Sequence, residues 1–159
     1  MKVLESLKDA GATYEVIDCE PSFADTAEFC NHYGYSLDES ANAILLEGKA
    51  ESPVYALCVV LATTRINVNK VARKRLGTRK ASFASAEITK ELTGMEIGGV
   101  TPVGLPVDLP IWIDSLVMET PKVIIGAGSR SAKIYLSPDN LLRFPNTHIV
   151  DGLSMPIVN

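Results

Sequence analysis

A run of nine apolar residues at 54–62, VYALCVVLA, places the strongest constraint on the fold of this 159-residue chain. A membrane-spanning helix needs about 20 apolar residues, so the run is too short by half. It is rich in β-branched residues and lacks polar alternation, which predicts a central strand buried on both faces. The rest of the chain must cover that strand, and with 47% hydrophobic and 21% charged residues it can supply one sizeable core.

The remaining pattern predicts a mixed α/β chain with more strand in its second half. Glycines at 11, 34, 77 and 94 close four candidate helices. We expect those helices at 2–10, 25–34, 68–76 and 85–92, with short helical turns near 37–38 and after Ser137. We expect strands at 13–17, 43–46, 54–63, 111–113, 122–126 and 132–136, the last two joined by a hairpin-type turn at 127–131. No repeat or linker divides the chain, so residues 1–159 are expected to form one domain.

Charge is distributed unevenly along the chain. The net charge is −4 and the sequence pI is about 5.2, which excludes a general nucleic-acid binder and gives no reason to expect DNA as a partner. Between residues 52 and 86 there is no acidic residue, yet this stretch holds nearly half of the fifteen basic ones. They are Arg65, Lys70, Arg73, Lys74, Arg75, Arg79 and Lys80. The stretch is either a solvated helix face or a patch that faces phosphates.

The three cysteines, Cys19, Cys30 and Cys58, are odd in number and far apart, which suggests neither a disulfide framework nor a metal site. The charged first residues, MKVLESLKDAG, lack the apolar core of a signal peptide. We therefore expect a reduced, cytoplasmic protein with no membrane partner and no cofactor.

The segment 92–106, LTGMEIGGVTPVGLP, is the most informative for function. It holds four glycines and two prolines, and it lies between a predicted helix and a predicted strand. Adjacent glycines allow close backbone approaches and unusual backbone angles. A rigid loop with free N–H groups can hold a carbonyl oxygen or stabilise the oxyanion formed when an ester is attacked. The same composition is also compatible with an Ω-loop that has no chemical role.

This segment resembles the signature T-G-x-x-x-G-G-x-x-P-x-G of the YbaK/EbsC, prolyl-tRNA-synthetase-associated family. Its fixed positions are filled in order by Thr93, Gly94, Gly98, Gly99, Pro102 and Gly104. The similarity continues in the basic segment 66–77, in the strand 111–114 that ends in aspartate, and in the turn, strand and helix at 126–143. It covers roughly residues 22–143. The resemblance implies a mixed, mostly antiparallel sheet that curls toward a barrel and is surrounded by helices.

The resemblance also implies an activity, namely hydrolysis of the ester that joins a wrongly attached amino acid to tRNA. The family's substrates include alanine or cysteine carried by the tRNA for proline, and a synthetase is a possible partner. The N–H groups of the loop formed by Gly98, Gly99, Val100, Thr101 and Pro102 would orient the ester carbonyl for attack by water. No metal and no covalent nucleophile are implied.

One position departs from the family pattern. Members carry a lysine in an A-K-T-L-like string before the first long strand, where this chain has Asn42. An asparagine keeps a hydrogen-bond donor but loses the positive charge. Lys49 or Lys70 would have to supply the charge from elsewhere, unless the chain is a tRNA- or synthetase-binding module of the same fold with weakened catalysis. An esterase acting on another small acyl ester is a third reading.

The resemblance and the charge pattern give further candidates for the pocket and for contact with tRNA. Gly128 and Ser129 lie in the turn that borders the pocket in the family. Asp114 is either a pocket carboxylate or the cap of a following helix. Lys70, Arg73 and Lys74 are the candidates for contact with tRNA phosphates.

Overall fold

The computed structural model describes residues 2–105 and 108–157 of the chain. Pro106, the last residue of the glycine-rich segment, lies outside the described residues, as do the termini of the expected 1–159 domain. Five α-helices are described: Lys2–Asp9 (α1), Thr26–Tyr33 (α2), Arg73–Leu76 (α3), Ala86–Thr93 (α4) and Ser115–Met118 (α5). Short 3-10 segments lie at Pro21–Phe23, Leu37–Glu39 and Pro138–Arg143, and Val68–Ala72 forms a π-helical turn.

Ten strands accompany these helices in the described residues. They are Glu15–Asp18 (β1), Ala41–Gly48 (β2), Val54–Leu61 (β3), Thr64–Ile66 (β4), Ala81–Phe83 (β5), Ile111–Asp114 (β6), Val123–Gly126 (β7), Ala132–Leu136 (β8), Thr147–Val150 (β9) and Ser154–Pro156 (β10). The mixed α/β class predicted from the sequence is confirmed. Strands β4, β5, β9 and β10 were not predicted.

The strands form a five-stranded sheet in the order β5-β2-β3-β6-β9, a three-stranded sheet in the order β1-β8-β7, and the pair β10-β4. All strand pairings are antiparallel except β3 with β6 and β6 with β9. A parallel bridge between Ser40 and Ile124 joins the two larger sheets. The mostly antiparallel sheet is therefore confirmed, and in the described residues its curl stops short of a closed barrel.

Strand β3 lies in the middle of the five-stranded sheet, as its sequence predicted, and it contributes to an apolar cluster on each face. Leu57 and Val59 pack into the larger cluster, with Leu45, Ile113 and Ile134 among its members. Cys58 and Val60 pack on the other face, against Trp112 and the basic helical segment. The strand is thus covered on both sides. Strand β2 pairs with it along its whole length and forms one wall of a cleft.

The helix boundaries follow the capping signals in the sequence. The Oγ of Ser85 accepts from the N–H of Ile88 at 3.1 Å, and the Oδ1 of Asn67 accepts from the N–H of Lys70 at 3.3 Å. Gly34, Gly77 and Gly94 follow their helices with positive φ angles of 80°, 77° and 72°. These stops confirm the predicted helix ends. In the described residues no helix has the length and apolarity needed to cross a bilayer.

Candidate active site

A cleft of about 280 Å³ lies where the two larger sheets meet. Its walls come from the first half of β2, the end of β5, the start of α2 and the residues 97–100 of the glycine-rich loop. Gly126 of β7 and Lys133 of β8 complete it from the other sheet. Asn42 and the loop residues Gly98 and Val100 line this one cavity, so the structure brings the two most important predicted segments together.

The loop is held rigidly because its glycines allow it to touch the turn at 126–131. Gly98 adopts a φ of 92°, which L side chains rarely adopt. A Cβ on Gly99 would lie 2.6 Å from the carbonyl carbon of Ser129, and a Cβ on Gly126 would lie 2.6 Å from the carbonyl carbon of Gly99. The N–H of Gly128 donates to the Gly99 carbonyl at 2.6 Å. Only glycine permits this backbone-to-backbone packing.

The loop N–H groups divide into used and available donors. The N–H of Gly99 donates to the carbonyl of Glu96 at 2.8 Å, so it cannot bind a substrate. Within residues 2–105 and 108–157, the N–H groups of Gly98 and Val100 have no acceptor, and both residues line the cleft. These two N–H groups are therefore the candidate donors for a carbonyl oxygen or an oxyanion.

The other two predicted loop residues are placed elsewhere. Thr101 is fully buried and does not line the cleft, and its Oγ1 has no partner among the described residues. Pro102 has no N–H and borders a separate cavity beside the 144–146 segment. Both residues therefore support the loop from behind.

Lys133 is a functional candidate that the sequence did not reveal. Its side chain is 6% exposed, lines the cleft, and donates from Nζ to the carbonyl oxygen of Gly98 at 2.6 Å. Burial lowers the pKa of the Lys133 ammonium, an effect that the nearby Cys19 and Asp25 partly oppose. Nζ also lies 5.7 Å from the centre of the Phe29 ring. A cation therefore stands in the cleft although position 42 lacks one.

Arg130, three residues before Lys133, fixes the same loop. Its Nη1 donates to the carbonyl of Ile97 at 2.8 Å and contacts the Asp25 carboxylate at 3.2 Å, while its Nε donates to the carbonyl of Pro21 at 3.1 Å. Consecutive carbonyls of the loop are thus each held by a basic side chain from one hairpin. Asp25 is the N-cap residue of α2, but its carboxylate faces Arg130 and makes no capping hydrogen bond to the helix.

Asn42 faces the start of α2. Its Oδ1 accepts a hydrogen bond of 2.6 Å from the Oγ1 of Thr26, and no acceptor for its Nδ2 is present in the described part of the chain. Neither Lys49, which is exposed and paired with Glu47, nor Lys70 lines the cleft. Among the described residues that line the cleft, Lys133 is the basic one.

Asp114 lies outside the cleft. It is 1% exposed, one of its carboxylate oxygens accepts a hydrogen bond from the Oγ of Ser154, and it makes no side-chain cap to α5. The structure therefore places it outside the pocket and at the N-cap position of α5, without a capping hydrogen bond from its side chain. Its bond to Ser154 ties the C-terminal strand β10 to β6.

Gly128 and Ser129 also lie outside the cleft. They border a separate cavity of about 220 Å³ with Thr93, Gly94 and Met95. Their contribution is structural, because the backbone of Ser129 is the surface on which Gly99 packs.

The basic segment forms a second, open cleft of about 590 Å³, which we call the basic cleft, lined by Asn69, Arg73, Arg79, Lys80 and Ala81. Of the three residues predicted to meet phosphates, only Arg73 lines it, and its Nε and Nη1 already donate to the carbonyls of Asn69 and Thr78 at 3.0 Å. Arg79 and Lys80 belong to the predicted basic stretch but were not among the three residues chosen as candidates for tRNA contact.

The model of the aminoacyl-tRNA editing domain matches residues 20–144 of the chain. The chain therefore belongs to the aminoacyl-tRNA editing domain family, as its glycine-rich signature indicated. The protein YwhH of Bacillus subtilis, which is uncharacterized, is 32% identical over 130 residues, covering 82% of this chain and 80% of YwhH.

A further relative comes from Enterococcus faecalis and is named a putative Cys-tRNA(Pro)/Cys-tRNA(Cys) deacylase, EbsC. It is 26% identical over 99 residues, covering 62% of this chain and 58% of EbsC. Among solved structures, a putative trans-editing enzyme for prolyl-tRNA synthetase superposes with a TM-score of 0.80 at 25% identity, covering 94% of this chain and 93% of that one. The hypothetical protein APE2540 gives a TM-score of 0.86 at 25% identity, covering 98% and 100%.

Proposed function

We propose that this protein acts in trans as an aminoacyl-tRNA deacylase that hydrolyses the ester of a mischarged tRNA carrying a small amino acid. The observation that carries the proposal is that Gly98 and Val100, whose N–H groups have no acceptor among the described residues, line the same cleft as the Lys133 ammonium. Membership of the editing family supports the reaction class. The name of EbsC supports cysteine on the tRNA for proline or cysteine, and that of the trans-editing enzyme supports a tRNA for proline, as the first substrates to test. Alanine is added because the family resemblance implies it.

In the proposed reaction, a water oxygen attacks the ester carbonyl carbon and the carbonyl oxygen becomes an oxyanion. The N–H groups of Gly98 and Val100 and the Lys133 ammonium are donors suited to stabilise that charge. The bond between the carbonyl carbon and the ribose oxygen then breaks, and the ribose oxygen takes up the proton that the attacking water gives up, so that the free amino acid and a tRNA with a free ribose hydroxyl are released. Removing one oxyanion donor typically costs about 10²- to 10³-fold in kcat.

Substrate orientation follows from the charges around the cleft. The α-ammonium of an aminoacyl ester is repelled by Lys133, so we place it toward Asp25, the acidic residue that lines the cleft. Selection of a small side chain follows from the size of the cleft, because its volume of about 280 Å³ must also admit the ester and part of the ribose. Each methylene that does not fit is worth about 1–3 kcal/mol in discrimination.

The test is a deacylation assay with Ala, Cys and Pro each attached to the tRNA for proline, and with Cys on the tRNA for cysteine. We expect hydrolysis of at least one mischarged species above background and a loss of about a hundredfold or more in Lys133→Met. Lys90→Met, which removes an exposed lysine from α4 outside the cleft, is the matched control. Absence of hydrolysis together with salt-dependent tRNA binding would instead favour the binding module, for which Asn42 is the supporting feature.

A further inference from the structure

Two large apolar side chains stand exposed at the active-site cleft. Phe83, the last residue of β5, is 55% exposed, and Ile97, next to Gly98 in the loop, is 50% exposed; both line the cleft. Their backbones are well anchored, because Phe83 pairs with Leu46 of β2 and the Ile97 carbonyl is bound by Arg130. Large apolar side chains that stay exposed at the same cleft indicate a binding surface.

The size of the cleft indicates what this surface meets. Sites that enclose a whole drug-sized ligand have volumes of about 300–1,000 Å³, and this cleft, at about 280 Å³, is below that range. It has room for an aminoacyl group and part of a ribose, and the base of the same nucleotide must then remain outside. The base would lie at the exposed apolar residues, provided that the ester occupies the cleft as proposed above.

We propose that Phe83 and Ile97 form a stacking platform for the 3′-terminal nucleobase of the aminoacylated RNA strand. A base stacks on the Phe83 ring, and Ile97 adds apolar contact from the loop. Stacking of this kind is worth about 1–3 kcal/mol per base and requires no hydrogen-bond readout of the base. The inference rests on the proposed function, since that function brings the RNA 3′ end to the cleft.

The charge around β5 supports an RNA strand as the occupant. Strand β5 leads from Lys80, in the basic cleft, directly to Phe83, a distance of about 10 Å at 3.3 Å per residue. The chain has no acidic residue from 52 to 86, so no carboxylate of this segment competes for Arg79 and Lys80. A basic surface next to an exposed aromatic side chain is the arrangement used for single-stranded nucleic acid.

The test uses an uncharged tRNA acceptor minihelix whose 3′-terminal adenine is replaced by 2-aminopurine, a base whose fluorescence is quenched by stacking. Wild-type protein should quench the fluorescence on binding. Phe83→Ala should abolish the quenching and weaken binding by about 5- to 100-fold, whereas Phe83→Tyr should stay within about threefold of wild type. Ile149→Ala, which truncates an exposed apolar residue of β9 outside the cleft, is the control and should behave as wild type.

The deacylation assay gives the second readout. We expect Phe83→Ala to raise KM by a similar factor and to change kcat little, because Phe83 contacts the base and not the ester. Unchanged quenching and unchanged binding in Phe83→Ala would overturn the platform. A wild-type protein that quenches 2-aminopurine but hydrolyses no ester would overturn the proposed function and leave the platform standing, so the two failures are distinguishable.

Discussion

The Nζ of Lys133 and the carbonyl oxygen of Gly98 lie 2.6 Å apart. Their hydrogen bond joins a buried ammonium on β8, in the three-stranded sheet, to the glycine-rich loop that lines the cleft. This bond uses one of the three donors of the ammonium. No other hydrogen-bond acceptor for Nζ is found among the described residues, so the remaining donors are available to a ligand. Lys133 therefore acts on the loop geometry and on the charge of the cleft at the same time.

The position of the positive charge can be tested by moving it. We expect Asn42→Lys combined with Lys133→Met to recover part of the activity lost in Lys133→Met alone, because residues 42 and 133 line one cavity. Asn42→Lys alone should lower activity, since two ammonium groups in one cleft repel each other. The measurement is kcat/KM for deacylation in all four proteins. A double variant no more active than Lys133→Met would show that the charge must come from β8.

The stability of the protein should respond to the buried Lys133 as the pH is raised. Because burial lowers the pKa of this group, the unfolded chain binds more protons than the folded one between the lowered pKa and the ordinary value of 10.5. Stability contributed by this site therefore rises with pH in that window. We expect the free energy of unfolding of wild type, relative to Lys133→Met, to increase as the pH approaches 10.5.

Urea unfolding at several alkaline pH values measures this difference, and Lys90→Met corrects for the loss of one exposed charge. A difference between wild type and Lys133→Met that stays constant or falls with pH would contradict the lowered pKa.

Gly99→Ala should affect the fold as well as catalysis. Its Cβ would lie 2.6 Å from the carbonyl carbon and 2.7 Å from the nitrogen of Ser129, and overpacking of this kind costs about 1–3 kcal/mol. We expect a lower urea midpoint together with reduced kcat/KM. Gly34→Ala is the matched control, since Gly34 has a φ of 80° but no atom within 4 Å of a new Cβ. It should lose about 1–2 kcal/mol of stability and keep its kcat/KM.

Asp114 should prove to be a stability residue. Ser154→Ala removes the hydroxyl that donates to its buried carboxylate, and leaving such a group unpaired costs about 1–3 kcal/mol. We expect a lower thermal midpoint and unchanged deacylation at temperatures where the variant is folded. An Asp114→Asn variant with a normal midpoint and reduced kcat would return Asp114 to the active site.

Binding of tRNA should depend on the basic cleft more than on the first predicted lysines. Lys80→Ala and Arg79→Ala should each flatten the slope of log K against log salt by about 0.7–0.9, the change expected for one lost phosphate contact. Lys74→Ala, which removes an exposed lysine outside that cleft, is the comparison. A larger change for Lys74→Ala would place the RNA on the other side of α3.

The parts of the fold that could be predicted are those with strong local signals. The apolar run gave the central strand β3, and Ser85, Asn67 and Gly94 marked helix ends through short-range hydrogen bonds and backbone angles. Strand β5 carries no such signal, because three residues are too few to show alternation. Its pairing with β2 depends on contacts more than thirty residues away along the chain.

The site was predictable where a backbone motif forms it and not where a lone side chain does. The loop around Gly98 and Gly99 is visible as a glycine pattern. Lys133 sits in a strand whose alternate residues, Ala132 and Ile134, pack into the core, so the alternation suggests an exposed side chain. It is buried because the opposite face of β8 is covered too, with Phe29 of α2 near its Nζ. That long-range packing leaves no trace in the local sequence.

The parallel bridge between Ser40 and Ile124 has a consequence for how substrate range can change. Each larger sheet keeps its own ladder of hydrogen bonds, and the cleft spans the seam between them. A bulkier side chain at that seam would narrow the opening, and a smaller one would widen it. Neither change would shift the register of any strand. Relatives of this protein could thus acquire new acyl preferences through one or two substitutions there, and directed libraries confined to the seam are a practical way to redesign it.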